Sequence, residues 1–254
     1  RYALAAVLKY QFGSGGWPQA IRDTVDPNSC PRRKARYPDS WPRTYPGHRS
    51  YWYRPTINDN LMADMISTLF EAAEIYRDDA CRAAALRGGE FLLLAQMPEP
   101  QPGWAQQYDY DMQPMWARKF EPPAITGGEA RGVLETLMDL YRRTGDKKWI
   151  EPIPRALAYY KRSRLPGGKL ARFYELKTNR PLFFTKDYTL TYDDADVPTH
   201  YAFTIGDWTG SIEKKLANLE PSLPGKSRRR VSAGRARALV AALDDRGAWV
   251  EEGG

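Results

Sequence analysis

One arginine lies in a stiff, aromatic loop. Arg118 stands between Trp116 and Phe120 in "DMQPMWARKFEPP", and Glu121 and two prolines follow at once. Proline on both sides excludes the interior of a helix, so this segment is predicted to be a loop. An ion pair with Glu121 would explain the arginine in structural terms. A guanidinium held in an aromatic loop also suits work on an anionic substrate, and both interpretations remain open at this point.

Three polar residues precede a strong helical pattern in "RPTINDNLMADM": Asn58, Asp59 and Asn60. One side-chain oxygen is enough to cap the start of a helix. The additional carboxylate and amide oxygens are of the kind that a hard cation such as Ca²⁺ prefers. Asp59 is therefore either a helix cap or a cation ligand.

Other acidic residues have simpler structural explanations. Asp109 and Asp111, in "YDYDMQ", could form the carboxylate pair of a glycosidase or bind a metal, but neighbouring loop aspartates commonly form turns. Glu129 follows Thr126 by three residues, which is the spacing of a capping box. We assign Glu129 to capping and leave the two aspartates open.

A basic and aromatic segment follows in "GGKLARFYELKTNRPLFFTKD". It contains Arg172, Arg180 and Lys186, with Tyr174 among them. Arginine binds carboxylates through two parallel hydrogen bonds, and flat sugar faces stack on aromatic rings. Together with Arg118, these residues predict a positively charged, aromatic cleft; a scattered basic surface is the alternative.

Helical periodicity dominates the chain. Apolar stripes begin near residues 61, 81, 130 and 149, and further helices are expected around 209–219 and 229–244. Only "ARFYEL" and "TLTYDD" indicate strands, and both are short. The fold class is therefore mainly α.

A repeat underlies these helices. A glutamine, a loop and a Gly-Trp pair occur in "YQFGSGGWPQ" and again in "AQMPEPQPGWAQQY", and "LPGGKLARFYE" is a third, degenerate copy. Repeated helix hairpins bury their apolar faces against their neighbours. Closed into a ring, they form an α/α toroid whose loops line a cleft on one side. Long irregular loops at 12–58, 98–124 and 164–205 indicate function.

Composition limits the class of partner. No apolar run approaches the roughly 20 residues of a membrane span, and the net charge of +7 favours an acidic partner. The basic segments "CPRRKAR" and "KSRRRVSAGRAR" are interpreted as solvated surface, because no nucleic-acid module accompanies them. Cys30 and Cys81 permit one disulfide without implying it. Two histidines, His48 and His200, disfavour a histidine-rich zinc site.

The motifs taken together resemble the pectate lyases of polysaccharide lyase family 10. The matching blocks are "GGWPQ", "TINDN", "GWAQQYD", "WARKFE", "GGE", "LARFYELKTNRPLFF" and "HY", in the family's order over about residues 9–205. Residues 206–254 form a C-terminal helical part that matches weakly. The expectation is a single α/α-toroid lyase domain over residues 1–254.

The resemblance implies an enzyme that cleaves α-1,4-linked polygalacturonate by Ca²⁺-assisted β-elimination and releases 4,5-unsaturated oligogalacturonides. The family's base, an arginine, corresponds to Arg118, and its metal-site aspartate corresponds to Asp59. Arg172 and Lys186 fall where the family binds substrate carboxylates. Lys186 replaces an arginine and offers a point charge instead of a fork. Other expected substrate contacts are Asn58, Asn60, Arg180, Trp116 and Tyr174.

This chemistry has clear physical requirements. Free arginine has a pKa above about 12, so a neutral guanidine is scarce and the enzyme should favour alkaline conditions. Ca²⁺ would acidify the C5 proton as a Lewis acid. Positive neighbours, Arg172 and Lys186 together with Ca²⁺, are expected to favour loss of the Arg118 proton.

The family also has a "T-[IF]-D-N-G-A-T" helix start upstream of "GGWPQ", whose aspartate and asparagine belong to the active centre. This sequence does not contain it, and we expect a fragment of the family domain or a relative built without that segment. The expected protein is secreted or periplasmic and monomeric, with no nucleic-acid or membrane partner.

Two alternatives remain. A uronic-acid glycoside hydrolase on the same toroid would use Asp109 or Asp111, and a non-catalytic pectin-binding relative would lack the upstream ligands. The glutamine–tryptophan pattern also resembles triterpene cyclases, but a cationic cleft suits a hydrocarbon poorly.

Overall fold

The computed structural model describes residues 2–22, 25–47, 50–221 and 232–243. The chain forms two compact units, residues 1–221 and residues 222–254. The organisation as one domain over residues 1–254 stays a prediction. The helix in the described part of the smaller unit is α7, Ala233–Ala241.

The larger unit is built mainly of α-helices, which confirms the mainly α prediction. Its helices are α1 Tyr2–Lys9, α2 Leu61–Tyr76, α3 Asp79–Ala95, α4 Ala130–Thr144, α5 Ile153–Arg162 and α6 Thr209–Ala217. Four of them, α2 to α5, follow the apolar stripes read from the sequence.

Local signals set several helix ends. The carboxylate of Asp78 accepts a hydrogen bond from the backbone N–H of Ala80 at 2.9 Å and so caps the start of α3. Gly145 ends α4 with a φ of 72°, a left-handed conformation that glycine adopts without steric cost. Arg77 ends α2 in the same left-handed region.

Alternate helices pack in a row. α2 contacts α4 and α4 contacts α6, whereas α3 packs against α1, α2 and α4, and α5 packs against α6. We call α2, α4 and α6 the inner row. The start of each inner-row helix follows one of the long loops, so those loops come to the same part of the larger unit.

The repeated tryptophans make the same bond in both copies. The indole N–H of Trp17 donates to the carbonyl of Val7 at 2.8 Å, and that of Trp104 donates to the carbonyl of Leu92, also at 2.8 Å. Both rings are fully buried. Each tryptophan thus ties a loop to the helix that precedes it.

The repeated glutamines are equivalent as well. The side-chain oxygen of Gln11 accepts hydrogen bonds from the guanidinium of Arg87, and that of Gln96 accepts them from Arg155. Both glutamines are buried, and a buried amide is stable only with partners. These contacts give the sequence repeat a physical basis.

In the second and third copies of the repeat, a tyrosine hydroxyl makes an equivalent hydrogen bond. The hydroxyl of Tyr108 accepts the N–H of Ala105 at 2.7 Å, and the hydroxyl of Tyr174 accepts the N–H of Ala171 at 2.9 Å. The segment "LARFY" therefore occupies the structural position of "WAQQY", with Leu170 in place of Trp104.

Two small antiparallel sheets complete the larger unit. The four-stranded sheet has the order β1–β3–β4–β5, and β2 pairs with β6. The strands are β1 Ala124–Thr126, β2 Leu170–Ala171, β3 Phe173–Glu175, β4 Pro181–Phe184, β5 Leu190–Thr191 and β6 Thr204–Ile205. Sequence reasoning located β3, β5 and the end of β2, and it missed β1, β4 and β6. β4, "PLFF", is apolar throughout and therefore shows no alternating pattern.

An aromatic cluster packs on the four-stranded sheet. Its buried members include Trp116, Phe120, Phe173, Phe184 and Phe203. The ring of Tyr201 lies against Phe173, with centroids 6.3 Å apart and planes 11° from parallel. This second core supports the loop that carries Arg118.

Other predicted features have simple outcomes. Cys30 and Cys81 are buried and free, so the permitted disulfide is not formed. Among the described residues, no helix is both long enough and apolar enough to cross a membrane. His48 and residues 226–231, the first half of the basic segment "KSRRRVSAGRAR", lie outside the described residues.

Helix α3 depends on the small size of Gly88. A Cβ atom there would meet a ring carbon of Trp17 at 2.7 Å and Ile66 at 2.9 Å. Although alanine favours helix formation, we expect Gly88→Ala to lower the free energy of unfolding by about 1–3 kcal/mol through overpacking. Urea denaturation measures this. The control is Gly210→Ala in the first turn of α6, where a Cβ meets nothing within 4 Å; a stabilised Gly88→Ala variant would contradict the packing.

Candidate active site

The starts of the inner-row helices present acidic residues to one groove. Asp59 precedes α2, Glu129 precedes α4 and Asp207 precedes α6, and all three line an open groove of about 730 Å³ together with Arg172. The remaining lining residues include Asn60, Arg131, Glu135 and Trp208. The groove therefore contains both carboxylates and a guanidinium.

Asp59 is held in an unusual backbone conformation. Its φ is 54°, and that of Asn60 is 59°, so two consecutive non-glycine residues are left-handed. The Asp59 carboxylate accepts a hydrogen bond from the side-chain amide of Gln19 at 3.1 Å. The N-cap residue of α2 is Asn60, without a side-chain cap bond. Asp59 therefore faces the groove instead of capping the helix.

Asn58 stabilises this turn through side-chain hydrogen bonds. It is buried, and its side-chain oxygen accepts the N–H of Asp59 and the amide of Gln106, each at 3.0 Å. These bonds hold the backbone that presents Asp59. Burial leaves Asn58 as a supporting residue, whereas Asn60 lines the groove itself.

Glu129 belongs to the groove. The hydroxyl of Thr126 does accept the N–H groups of Gly128 and Glu129, at 3.1 and 3.4 Å, as a turn at a helix start requires. The Glu129 carboxylate, however, accepts a guanidinium N–H of Arg172 at 3.2 Å and the amide of Gln106 at 3.1 Å. Glu129 is therefore more than a helix-capping residue, because its carboxylate also binds Arg172 and Gln106.

Residues at the same position in the three repeat copies form hydrogen bonds with acidic residues of the groove. Gln19, Gln106 and Arg172 each lie two residues after the position of the repeated tryptophan. Gln19 donates to Asp59, and Gln106 and Arg172 both donate to Glu129. One residue of each repeat loop thus points toward the same groove.

Arg118 is fixed by Glu121. Its backbone N–H, Nε and Nη2 donate to the Glu121 carboxylate at 3.1, 2.8 and 2.5 Å. The carboxylate is almost completely buried, whereas the arginine side chain is 42% exposed. A tight turn, in which the N–H of Glu121 donates to the carbonyl of Arg118 at 2.9 Å, brings the two together. The structure therefore contains the ion pair with Glu121, and the same ion pair fixes the direction in which the Arg118 guanidinium points.

The charges around Arg118 oppose loss of its proton. Hydrogen bonds from the guanidinium to Glu121 raise the pKa of Arg118 above its ordinary value, against a smaller lowering by burial. The negative charges of Glu121 and Asp59 add to the rise. Among the described residues, the buried carboxylate of Glu121 therefore favours the protonated form of Arg118, whereas the expected effect of Ca²⁺ stays a prediction.

Tyr201 joins the two arginines. Its ring centroid lies 4.8 Å from the guanidinium carbon of Arg172 and 5.9 Å from that of Arg118. Its hydroxyl donates to Glu121 at 3.3 Å and accepts from Gln106 at 3.4 Å. Burial is the main cause that raises the pKa of Tyr201, so it stays a neutral phenol. Arg118 and Arg172 therefore flank one aromatic ring.

Two predicted cations lie elsewhere. Lys186 is 68% exposed and forms an ion pair with Asp196 at 2.9 Å. The guanidinium carbon of Arg180 lies 3.3 Å from the ring centroid of Tyr192. Neither residue lines the groove that contains Arg172.

Two predicted aromatic contacts are core residues. Trp116 is 2% exposed and donates to the carbonyl of Pro42 at 2.8 Å. Tyr174 is 1% exposed and donates to the carbonyl of Ser163 at 2.7 Å. A ring so deeply buried cannot stack on a sugar, and both rings support the loops from within.

The aspartates of "YDYD" form a turn. One oxygen of Asp109 accepts the N–H groups of Asp111 and Gln113, at 2.9 and 2.8 Å, and burial raises the pKa of Asp109. Asp111 pairs with Arg33. These contacts favour the turn-forming interpretation over an acid/base pair.

The donor atoms near Asp59 set a limit on metal binding. Ca²⁺ takes about six to eight oxygen ligands, and the described residues contain no group of three or more His, Cys, Asp or Glu side chains that could hold a metal. The side-chain oxygen of Gln19 is buried without a hydrogen-bond partner, on the same amide that contacts Asp59. These oxygens fit a cation that an acidic ligand also coordinates, since the protein oxygens described here are too few to coordinate Ca²⁺ alone.

Sequence reasoning missed several residues that contact the predicted ones. Gln19, Gln106 and Tyr201 are among them, and the capping-box spacing of Glu129 concealed its place in the groove. The ion pair between Arg118 and Glu121 is confirmed. The sequence repeat could have identified Gln19 and Gln106, because each occupies the same position in its copy as Arg172 does in the third.

The left-handed turn at Asp59 is testable through stability. Alanine retains the steric cost of a positive φ and glycine does not, so we expect Asp59→Gly to be more stable to urea than Asp59→Ala by about 1 kcal/mol. The matched pair Asn60→Gly and Asn60→Ala should behave alike. Equal stability of the two Asp59 variants would show that the residue leaves this conformation.

Comparisons with known proteins identify the family of this chain. Residues 33–170, more than half of the chain, match the pectic acid lyase family. A family 10 polysaccharide lyase from Cellvibrio cellulosa has a similar structure, with a TM-score of 0.56 and 21% identity over 84% of this chain and 90% of that one. A single-residue mutant of a family 10 lyase from the same organism, in complex with trigalacturonic acid, is similar at 22% identity, with a TM-score of 0.56 and coverage of 84% and 91%. No curated protein sequence matches. The chain belongs to the pectic acid lyase family and is a lyase.

Proposed function

We propose that this lyase cleaves α-1,4-linked polygalacturonate by β-elimination, with Arg118 as the base. The observation that carries the proposal is that Arg118 and Arg172 flank Tyr201, beside a groove that also contains Asp59. The similar lyase bound to trigalacturonic acid supports the class of ligand.

The reaction needs a base and stabilisation of negative charge. The base removes the C5 proton, the electrons form the C4–C5 double bond, the C4–oxygen bond breaks, and the leaving oxygen takes up a proton. The products are a new reducing end and a 4,5-unsaturated uronate. A base must lie within hydrogen-bond reach of the proton that it takes. The guanidinium of Arg118 is partly exposed and rigidly held, so a bound sugar can approach it, and its neutral form would act as the base.

Arg172 is proposed to bind a substrate carboxylate. Its guanidinium already contacts Glu129 at 3.2 Å and the carbonyl of Ala202 at 2.6 Å, which fixes its orientation. A guanidinium has five N–H donors, so Arg172 can also bind a uronate in the groove. Asn60 lines the same wall, whereas Arg180 and Lys186 would contact only more distant sugars.

Asp59, with Gln19 beside it, would hold Ca²⁺ together with the substrate carboxylate. Bound there, the ion would act as a Lewis acid that stabilises the charge developing next to C5. This arrangement agrees with the small number of protein oxygens at the site. In this arrangement, Ca²⁺ binds tightly only when the substrate is present.

We also propose that the larger unit is an α/α toroid and that the protein is secreted. The inner row of α2, α4 and α6 and the three equivalent loops support a ring of helix hairpins. An enzyme for a plant cell-wall polymer acts where that polymer is, outside the cell.

The first test is turnover of polygalacturonate. Cleavage in Ca²⁺ should raise the ultraviolet absorbance of the unsaturated uronate, and a chelator should stop it. Arg118→Ala should lower kcat by roughly 10²–10⁴-fold, the contribution typical of a general base, while substrate binding persists. Arg82→Ala, an exposed arginine on α3, is the control.

Near-normal turnover by Arg118→Ala would reject this base. Binding of polygalacturonate without cleavage by the unsubstituted protein would instead select a non-catalytic pectin-binding protein. New reducing ends without ultraviolet absorbance would select a hydrolase.

Glu121 is a positioning residue whose role has a distinct signature in the pH profile. Glu121 raises the pKa of Arg118, so Glu121→Gln should lower that pKa and shift the alkaline rise of kcat/KM to lower pH. Loss of the two-bond geometry should at the same time lower the limiting kcat at high pH. A smaller kcat with an unshifted profile would contradict the coupling. Glu135→Gln, a groove carboxylate paired with Lys215, is the control.

A further inference from the structure

Trp52 is exposed although most tryptophans of this chain are not. Its side chain and backbone together are 40% exposed, the largest value for a tryptophan among the described residues. Trp17, Trp104 and Trp149, by contrast, are essentially inaccessible. An indole left in contact with solvent forgoes the free energy that burial of its apolar surface would contribute. The contacts that keep this ring at the surface are therefore informative.

The indole is held firmly. Its ring lies against Tyr51, with centroids 4.6 Å apart and planes at 35°, and Tyr51 is buried. The carbonyl of Trp52 accepts the N–H of Ala20 at 2.9 Å. The buried amide of Gln107 donates to the carbonyl of Tyr51 at 3.0 Å. Trp52 is therefore a rigid surface, which binds a ligand at little cost in conformational entropy.

Trp52 is connected to two segments of the proposed site. Its backbone carbonyl bonds to Ala20, which directly follows Gln19, the partner of Asp59. The ring of its neighbour Tyr51, on which the indole packs, interacts electrostatically with Glu121 and Arg118. Trp52 is thus tied to the segments that carry the proposed cation-binding and proton-abstracting residues.

We propose that Trp52 is a stacking platform for one further uronate residue of the bound polysaccharide, next to the sugar that reacts. This inference rests on the proposed function and extends it to a specific subsite. A pyranose presents a face of C–H bonds, whose partial positive charge suits the negative face of an indole. The guanidinium of Arg22, 5.7 Å from the ring of Tyr53, supplies positive charge on the same loop for the carboxylate of that sugar.

The experiment measures binding without turnover. Calorimetric titration with trigalacturonate in Ca²⁺ is performed on the Arg118→Ala protein and on the same protein with Trp52→Ala, Trp52→Phe or Tyr76→Ala. Trp52→Ala should weaken binding several-fold to about tenfold, as loss of one stacked ring predicts. Trp52→Phe should recover most of the affinity. Tyr76→Ala, which removes another exposed ring at the end of α2, should leave it unchanged.

The outcomes separate this inference from the proposed function. If polygalacturonate is not cleaved by the unsubstituted protein but Trp52→Ala still weakens binding, the lyase mechanism fails and the platform stands. If cleavage occurs and Trp52→Ala binds as tightly as its parent, the platform is overturned. Absence of trigalacturonate binding by the parent protein also overturns it.

Discussion

A buried carboxylate holds the guanidinium of Arg118, the proposed base of this lyase. Glu121 has almost no contact with solvent and accepts three hydrogen bonds from Arg118. Such a pair keeps the arginine pointed in one direction, because breaking it would leave a charge unpaired in the interior. The same bonds raise the pKa of Arg118, which makes the neutral base scarcer. Orientation and basicity are thus coupled, and a positive charge bound nearby would shift the balance toward proton loss.

The repeat explains how distant segments supply one groove. Each copy ties a loop to a helix through a buried side chain, a tryptophan in two copies and a tyrosine in the second and third. Each loop then presents one polar residue at the same register: Gln19, Gln106 or Arg172. The inner-row helices begin with acidic residues nearby. A regular scaffold thereby brings different polar side chains, two amides and one guanidinium, to the same group of acidic residues.

Burial decides the role of an aromatic residue in this protein. Trp116 and Tyr174 neighbour functional residues along the chain, yet both fill the interior. Trp52 lies in no polar motif, and its exposed ring faces away from the core. Composition reveals how many rings a segment contains, and only the packing of other segments determines which rings remain accessible. The carboxylate of Glu129 shows the same dependence, since capping-box spacing does not settle where the side chain points.

The sequence alone determined the helices, the repeat and the family, and it proposed Arg118, Asp59 and Arg172 as site residues, because these inferences depend on local patterns: apolar periodicity, caps and short motifs. The tertiary structure decided which charges share a groove. It brought Arg172 to Arg118 through Tyr201 and left Arg180 and Lys186 outside. Those distances depend on how loops far apart in the chain pack against one another, and no local pattern records such contacts.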